Sequence, residues 1–167
     1  MISGIETRRA HPSDAGAIAL AHRDSIRTLG PLYYPPNVVE DWEDGLTGDV
    51  YVKAMEKGEV FFIATGTVSG QALVLGFSSD YRLDGSTHGA SVYVRGAAAR
   101  QGIGSALLRL AEAHAVARGA TAVRIDASLA AVEFYRAHGY AGSGRGETHL
   151  MSGRPIACVH MHKILAR

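Results

Sequence analysis

Residues 93–107 read Tyr-Val-Arg-Gly-Ala-Ala-Ala-Arg-Gln-Gly-Ile-Gly-Ser-Ala-Leu. This stretch predicts a strand that runs into a loop, after which Gly102 and Gly104 open an amphipathic helix. The first four amides of a helix have no intrahelical partner, and glycine lets an anion approach the backbone closely. Because the helix dipole adds about half a positive charge at the same end, we expect this loop to bind a diphosphate.

Three kinds of glycine loop compete at this position. A Walker A loop requires Lys directly after its last glycine, whereas Ser105 follows Gly104. A dinucleotide-binding fingerprint supplies an acid about 20 residues on, as Asp126 does, but it also requires a third glycine where Leu107 stands and an immediate turn after the strand. The third interpretation, that the glycines only start a helix, is not excluded by the loop alone.

Strand and helix patterns alternate along the chain. Strands are predicted over 4–10, 60–67, 71–78, 90–94, 122–125 and 155–165, with one more before the last, and helices over 11–30, 38–46, 49–57, 102–117 and 129–138. This order predicts an α/β protein, α+β by some schemes, with one mixed sheet. No linker, repeat or low-complexity segment divides the chain, so we expect a single domain over residues 1–167.

Composition limits the possible partners. The formal net charge is +1 and 20% of residues are charged, which gives no field to attract nucleic acid or an anionic membrane. The single Cys158 excludes an internal disulfide, and the first residues lack the apolar region of a secretory signal. No apolar run approaches the ~18 residues of a membrane span. We therefore expect a soluble cytoplasmic protein that binds neither nucleic acid nor membrane.

A second motif follows the glycine loop. Residues 128–140 read Ser-Leu-Ala-Ala-Val-Glu-Phe-Tyr-Arg-Ala-His-Gly-Tyr. With the loop at 99–104 and Val92-Tyr93-Val94 before it, this segment resembles the GNAT superfamily of acetyl-CoA-dependent N-acetyltransferases. The family's Asn-x-x-Ala, Phe-Tyr and Gly-Phe positions fall on Ser128, Ala131, Phe134, Tyr135, Gly139 and Tyr140. The chain departs from the pattern at Ala99, where Gln or Arg is usual, and at Ser128, where Asn is usual.

The resemblance implies a fold and a cofactor site. The fold is one mixed, mostly antiparallel sheet flanked by helices, in which a parallel strand pair splays near Val94 and Ile125 to form the CoA cleft. Arg100 is the better phosphate candidate, whereas Arg136 either meets the CoA phosphates or is a solvated helix residue, and Arg95 could serve either role. The implied acetyl-CoA contacts are Val92, Tyr93, Val94, Arg100, Gln101, Gly102, Ile103, Gly104, Ser105, Ser128, Ala131, Tyr135 and Arg136.

The resemblance also implies direct attack of an amine on the thioester. The amide of Val94 would polarise the thioester carbonyl, and Tyr135 would protonate the leaving thiolate unless it only packs the helix face. Many family members carry an acidic residue on the strand before the loop, where it acts as the general base, but Ala90 and Ser91 stand there in this chain. This absence favours an acceptor of low pKa or a water relay. His88 is the nearest titratable candidate base, although a histidine in a turn is more often only a surface residue.

The acceptor site is less defined by the sequence. His22, Tyr33, Tyr34 and Trp42 form either an acceptor pocket or a hydrophobic lid or dimer contact. We expect no metal, because no Cys or acidic residue clusters with His160 and His162 in the sequence. The last strand could pair across a homodimer.

The sequence thus predicts acetyl transfer to a small-molecule or peptide amine. The alternative from another functional class is a non-catalytic module that binds or senses acyl-CoA.

Overall fold

The computed structural model describes residues 1–166. Seven strands form one sheet in the order β1-β2-β3-β4-β5-β7-β6. The strands are β1 (Ile2–Arg9), β2 (Val60–Val68), β3 (Gln71–Asp84), β4 (Thr87–Val94), β5 (Ala122–Ser128), β6 (Ala141–His149) and β7 (Pro155–Ile164). The helices are α1 (Ala15–Leu29), α2 (Pro36–Glu43), α3 (Gly48–Glu56), α4 (Ile103–Ala117) and α5 (Val132–Ala137).

The sheet contains one parallel pair within residues 1–166. All other neighbours are antiparallel, whereas β4 and β5 run in the same direction. Their ladder pairs Thr87 with Ala122, His88 with Val123 and Gly89 with Arg124, and it ends there although β4 continues to Val94. The carboxyl halves of the two strands therefore separate. This arrangement confirms the predicted mixed, mostly antiparallel sheet with a splayed parallel pair.

Helices cover both faces of the sheet. On one face Leu107 and Leu108 of α4 are fully buried against β2 to β5. On the other face Ile18 of α1 packs with Phe77 of β3 and with α3. None of the helices formed by residues 1–166 combines the length and the apolar character needed to cross a membrane.

Several element boundaries differ from the sequence prediction. Strand β3 continues to Asp84 and β4 begins at Thr87, because the chain reverses at Gly85, where φ is +44°. His88 therefore lies in a strand rather than in a turn. Helix α5 begins at Val132 instead of residue 129, because residues 129–131 form a turn that connects β5 to the helix.

The last strand does not offer a free edge. Strand β7 pairs with β5 on one side and with β6 on the other, so both of its edges are hydrogen-bonded. Residues 155–164 therefore offer no free strand edge to a second copy, and the homodimer itself stays a prediction. The edge strands of the described sheet are β1 and β6.

Candidate active site

The glycine loop forms a cradle of free amides at the start of α4. Gly102 is the N-cap and takes the left-handed φ of +80°, and Arg100 takes a φ of +62°. The first hydrogen bond into the helix runs from the Ala106 amide to the Gly102 carbonyl, 3.1 Å away. Within the described chain, the amides of residues 101–105 make no backbone hydrogen bond. This geometry suits an anion held by the backbone, as the loop predicted.

A histidine ties this loop to the second motif. His138 Nε2 lies 2.8 Å from the Ser105 hydroxyl, and its Nδ1 lies 2.8 Å from the Phe134 carbonyl oxygen. The Ser105 side chain is therefore engaged by α5, and only its backbone amide faces the loop. Ile103 is buried in the core, so it also can contribute only its amide.

Two cavities meet where β4 and β5 separate. The loop cavity, of ≈ 520 Å³, lies between α1 and the glycine loop and is lined by Arg100, Gly102 and Gly104. The sheet cavity, of ≈ 250 Å³, lies over β4, β5 and β7. Five residues line both cavities, namely Trp42, Val92, Tyr93, Ser128 and Ala131. Two molecules that enter from opposite sides would meet at these residues.

Backbone donors of β4 point into this gap. The Arg95 amide donates to the Leu75 carbonyl of β3 at 2.8 Å. Because consecutive amides of a strand point to opposite edges, the amides of Val92 and Val94 point toward β5, beyond the end of its ladder. A suitable donor is thus present for the predicted role of Val94, which stays a prediction.

Tyr135 lies at the inner wall of the sheet cavity. Only 3% of its surface is exposed. Burial raises the pKa of its phenol, and a hydrogen bond with the Val92 backbone lowers this pKa in part. The phenol therefore keeps its proton at neutral pH and is available as a donor next to the gap. Its role as general acid stays a prediction.

The aromatic residues before α2 divide between the cavities. Tyr34 is buried and lines the sheet cavity, where its hydroxyl donates to the Ala157 carbonyl at 2.7 Å and accepts from the Leu129 amide at 2.9 Å. The indole of Trp42 packs edge-on against it, with ring centroids 5.7 Å apart. Tyr33 is half-exposed and lines the loop cavity instead. Trp42 lines both cavities. The acceptor role expected of these aromatic residues stays a prediction.

His22 does not reach either cavity. Its ring stacks behind Tyr93 with centroids 4.0 Å apart, and its Nδ1 lies 2.7 Å from the Tyr51 hydroxyl. Burial lowers the pKa of His22 to about 3, so the imidazole is neutral. The expectation that His22 contacts an acceptor is wrong, because α1 turns this side chain toward the core.

His88 also lies away from the gap. It is fully buried on the α4 face of β4, with Nδ1 2.6 Å from Asp80 Oδ1. The other Asp80 oxygen lies 2.7 Å from His114 Nδ1. His88 lines neither of the two cavities. The proposal of His88 as a base near the reacting atoms is therefore wrong, since the strand directs the ring toward Asp80 in a buried hydrogen-bonded cluster.

The arginines near the loop have different tasks. Arg100 lines the loop cavity. Arg95 donates from Nε to the Val74 carbonyl at 2.7 Å and lies 3.7 Å from Asp24, so it fastens the segment after β4 rather than facing a ligand. Arg136 pairs with Glu133 on the exposed side of α5 and lines neither cavity. Gln101 in the loop also lines neither cavity. Only Arg100 retains its place as the phosphate candidate.

The sheet cavity contains residues that the sequence analysis did not assign to a site. Those with polar or large side chains include Tyr81, Asp126, Thr148, His149, Leu150 and Cys158. Asp126 is the only carboxylate among the described residues that line this cavity. The alternation of buried and exposed residues in β5 could have placed Asp126 on this face. No local signal could have brought the β6–β7 hairpin over the cavity.

Asp126, Cys158 and His160 form a cluster at the outer wall of the sheet cavity. Their potential ligand atoms all lie within 4.8 Å of one another. The expectation that no Cys or acidic residue accompanies His160 is therefore wrong, because the β5–β7 register brings both to it. Burial raises the pKa of the Cys158 thiol, and the charges of Asp126 and Glu147 raise it further.

Comparisons with known proteins agree with this geometry. The model of the acetyltransferase (GNAT) family matches residues 24–140. A GCN5-related N-acetyltransferase from Rhodopseudomonas palustris is 28% identical, with a TM-score of 0.79 over 99% of this chain and 98% of that one. A comparison with curated proteins finds no match.

Two further structures share the fold and carry a bound cofactor. The PaiA N-acetyltransferase from Thermoplasma acidophilum, in complex with coenzyme A, is 16% identical, with a TM-score of 0.73 over 98% of this chain and 100% of that one. YncA from Salmonella typhimurium, a putative acetyltransferase with its cofactor acetyl-CoA, is 20% identical, with a TM-score of 0.71 over 99% and 96%.

Proposed function

The chain belongs to the acetyltransferase (GNAT) family, and from this premise we propose that it transfers an acetyl group from acetyl-CoA to a primary amine. Membership of the family supports acetyl transfer from acetyl-CoA in general. The observation that carries the proposal is the junction of the two cavities at Val92, Tyr93 and Ser128. The loop cavity reaches the free amides of the glycine loop, and the sheet cavity reaches the carboxylate of Asp126. The Val94 amide and the Tyr135 phenol are hydrogen-bond donors near the residues that the two cavities share.

Acetyl-CoA would occupy the loop cavity. Its diphosphate would accept hydrogen bonds from the free amides of residues 101–105, with Arg100 beside them. Its pantetheine would pair with the backbone edge of β4 that β5 leaves open after Gly89. The thioester would then lie beside the shared residues, within reach of the Val94 amide.

The amine would enter through the sheet cavity. Its nitrogen would attack the thioester carbon directly, while the Val94 amide stabilises the developing oxyanion. The carbon–sulfur bond would then break, and Tyr135 would give its proton to the leaving thiolate. Asp126 would attract the ammonium form of the acceptor, which would lose one proton to solvent to become the nucleophilic amine. Asp126 would then take the second proton, which the nitrogen loses on attack. All steps would occur in one ternary complex, without a covalent enzyme intermediate.

The experiment is thiol release from acetyl-CoA with a panel of primary amines. We expect turnover with at least one amine, and we expect Tyr135→Phe to lower kcat by about 10²-fold or more, as loss of a general acid does. Tyr140→Phe is the matched control, since Tyr140 is buried against Tyr135 but lines neither cavity. It should lose stability with its Glu112 hydrogen bond, yet keep kcat.

The departures at Ala99 and Ser128, and the absence of a carboxylate at residues 90 and 91, favour one other function. This is a non-catalytic module that binds or senses acyl-CoA. Tight CoA binding without turnover on any amine in the panel would support that module and overturn acetyl transfer. A kcat in Tyr135→Phe equal to that of Tyr140→Phe would overturn the role of Tyr135 alone.

A further inference from the structure

We propose that Asp126, Cys158 and His160 form a binding site for a zinc ion at the outer wall of the sheet cavity. The three side chains offer one oxygen, one sulfur and one nitrogen donor, with all three donor atoms within 4.8 Å of one another. Mixed Cys, His and carboxylate donors suit Zn²⁺, which prefers four ligands in a tetrahedron. The site does not depend on acetyl transfer, because it rests on the side chains alone.

The sheet register holds the donors together. Asp126 of β5 stands directly opposite His160 of β7, and Cys158 lies two residues before His160. Residues two apart in a strand point to the same face, and directly paired residues of adjacent strands share that face. Three donors are therefore fixed by two hydrogen-bonded strands rather than by a loop.

The distances require little movement. His160 Nδ1 lies 2.7 Å from Asp126 Oδ1 and 3.9 Å from Cys158 Sγ. Bonds of about 2.0–2.3 Å to zinc place tetrahedral ligands about 3.2–3.7 Å apart. The Asp126–His160 contact would open by about half an ångström and the sulfur would approach His160 by less. The Asp126–Cys158 pair, which lies within 4.8 Å, would close by up to about one ångström. Rotation of exposed side chains supplies such shifts, since 52% of the Asp126 and 45% of the His160 side chain are exposed.

The surroundings favour a cation and hold the imidazole in place. Glu147 adds a second negative charge near the Cys158 sulfur. The His160 ring lies over Gly146 of β6, where the space that a Cβ would fill is taken by the ring. The fourth ligand position would be open to the sheet cavity, which Asp126 and Cys158 both line. A bound zinc ion would therefore occupy the side of the gap from which we expect the acceptor to enter.

The test uses the protein of residues 1–167 without a purification tag, freed of metal by a chelator. Co²⁺ replaces Zn²⁺ as a spectroscopic probe, since a cobalt ion bound by thiolate in a tetrahedral site absorbs strongly in the visible and near-ultraviolet. We expect saturation at one equivalent, displacement by Zn²⁺ and no displacement by Mg²⁺, which selects oxygen ligands. Zn²⁺ should also raise the Tm of the protein.

Three variants separate this site from incidental binding. Cys158→Ser should remove the thiolate-to-cobalt band, and His160→Gln should weaken Zn²⁺ binding about tenfold or more. His162→Gln is the matched control, because His162 lies on the same strand face opposite Arg124 and outside the cluster. It should leave binding unchanged.

Absence of the thiolate band in the wild type, or equal Zn²⁺ affinity in the wild type and His160→Gln, would overturn the proposal. If Cys158→Ser does not fold, the exposed His160 still decides the question. Inhibition of amine turnover by Zn²⁺ is a separate measurement. Its failure would bear on where the acceptor enters, whereas failure of the cobalt titration would bear on the metal site.

Discussion

Gly104 lies directly against the ring of Phe134. A Cβ added at Gly104 would stand 3.1 Å from Cε1 and 3.3 Å from Cζ of that ring. Both residues line the loop cavity, so the second glycine of the loop and the Phe-Tyr motif of α5 are in contact. The close approach of an aromatic ring favours glycine at position 104, whereas at Gly102 the φ of +80° favours it.

Replacement of Gly104 should therefore weaken CoA binding. In Gly104→Ala the Phe134 ring must move by a few tenths of an ångström, and in Gly104→Val by more. We expect the Kd for CoA to rise about tenfold in the valine variant, equivalent to about 1.4 kcal/mol, and less in the alanine variant. Isothermal titration calorimetry measures both values.

Gly16→Ala is the control for the Gly104 variants. A Cβ at this helical position meets nothing within 4 Å. It should raise the free energy of unfolding by about 0.5–1 kcal/mol and leave the Kd for CoA unchanged. Equal Kd values for Gly104→Val and the wild type would show that the Phe134 contact does not shape the CoA site.

His88→Gln should destabilise the protein without impairing catalysis. The substitution disturbs the hydrogen bond to buried Asp80, which costs about 1–3 kcal/mol when a buried partner is lost. Urea unfolding measures the loss, and kcat of the folded protein with the best amine should match the wild type. A general base contributes about 10²–10⁴-fold. A fall in kcat of that size at unchanged Tm would return His88 to the reaction.

The sequence predicted the parts of this protein that depend on local patterns. Glycines before an apolar helical stripe and the Phe-Tyr segment predicted the loop and α5, because these features act over a few residues. His88 was misplaced because strand β4 begins three residues before its apolar run. Asp126 and the residues of β6 and β7 in the sheet cavity were missed for a different reason. Cys158 meets Asp126 only through the β5–β7 register, which depends on the order of strands in the whole sheet.

His22 should make stability fall in acid. The pKa of this buried imidazole is lowered to about 3, against about 6.5 in the unfolded chain. Between these values the unfolded state binds the extra proton, so the free energy of unfolding decreases as the pH falls from 6.5 toward 3. The contribution of neutral His22 to the free energy of unfolding is complete above pH 6.5. Below this pH the free energy of unfolding falls by up to about 1.4 kcal/mol per pH unit.

Urea unfolding of the wild type and His22→Phe at several pH values between 7.5 and 4.5 isolates this effect. Other carboxylates titrate in both proteins, so the difference between the two curves belongs to His22. We expect the wild type to lose more stability than the variant as the pH falls. Parallel curves would contradict a neutral, buried His22.

Asp41 should affect the acceptor side more than the cofactor side. Its Oδ2 accepts hydrogen bonds from Arg154 Nε at 2.6 Å and from the Ser152 hydroxyl at 2.8 Å, which fastens α2 to the β6–β7 hairpin. The next residue in α2, Trp42, and the hairpin residue His149 both line the sheet cavity.

In Asp41→Ala these two walls lose their connection, so we expect the KM for the amine to rise about three- to tenfold. The Kd for CoA should rise by less, because Trp42 is one of many residues that line the loop cavity. Initial rates over a range of amine concentrations give KM, and calorimetry gives Kd.

The control is Arg8→Ala, which breaks another exposed ion pair. Arg8 lies 2.9 Å from Asp14, and neither residue lines a cavity of the site. Arg8→Ala should change neither the KM for the amine nor the Kd for CoA, because Arg8 and Asp14 lie outside both cavities. An unchanged KM in Asp41→Ala, or a rise in the Kd for CoA of the same size, would show that the contacts of Asp41 with Arg154 and Ser152 do not position the residues around the acceptor.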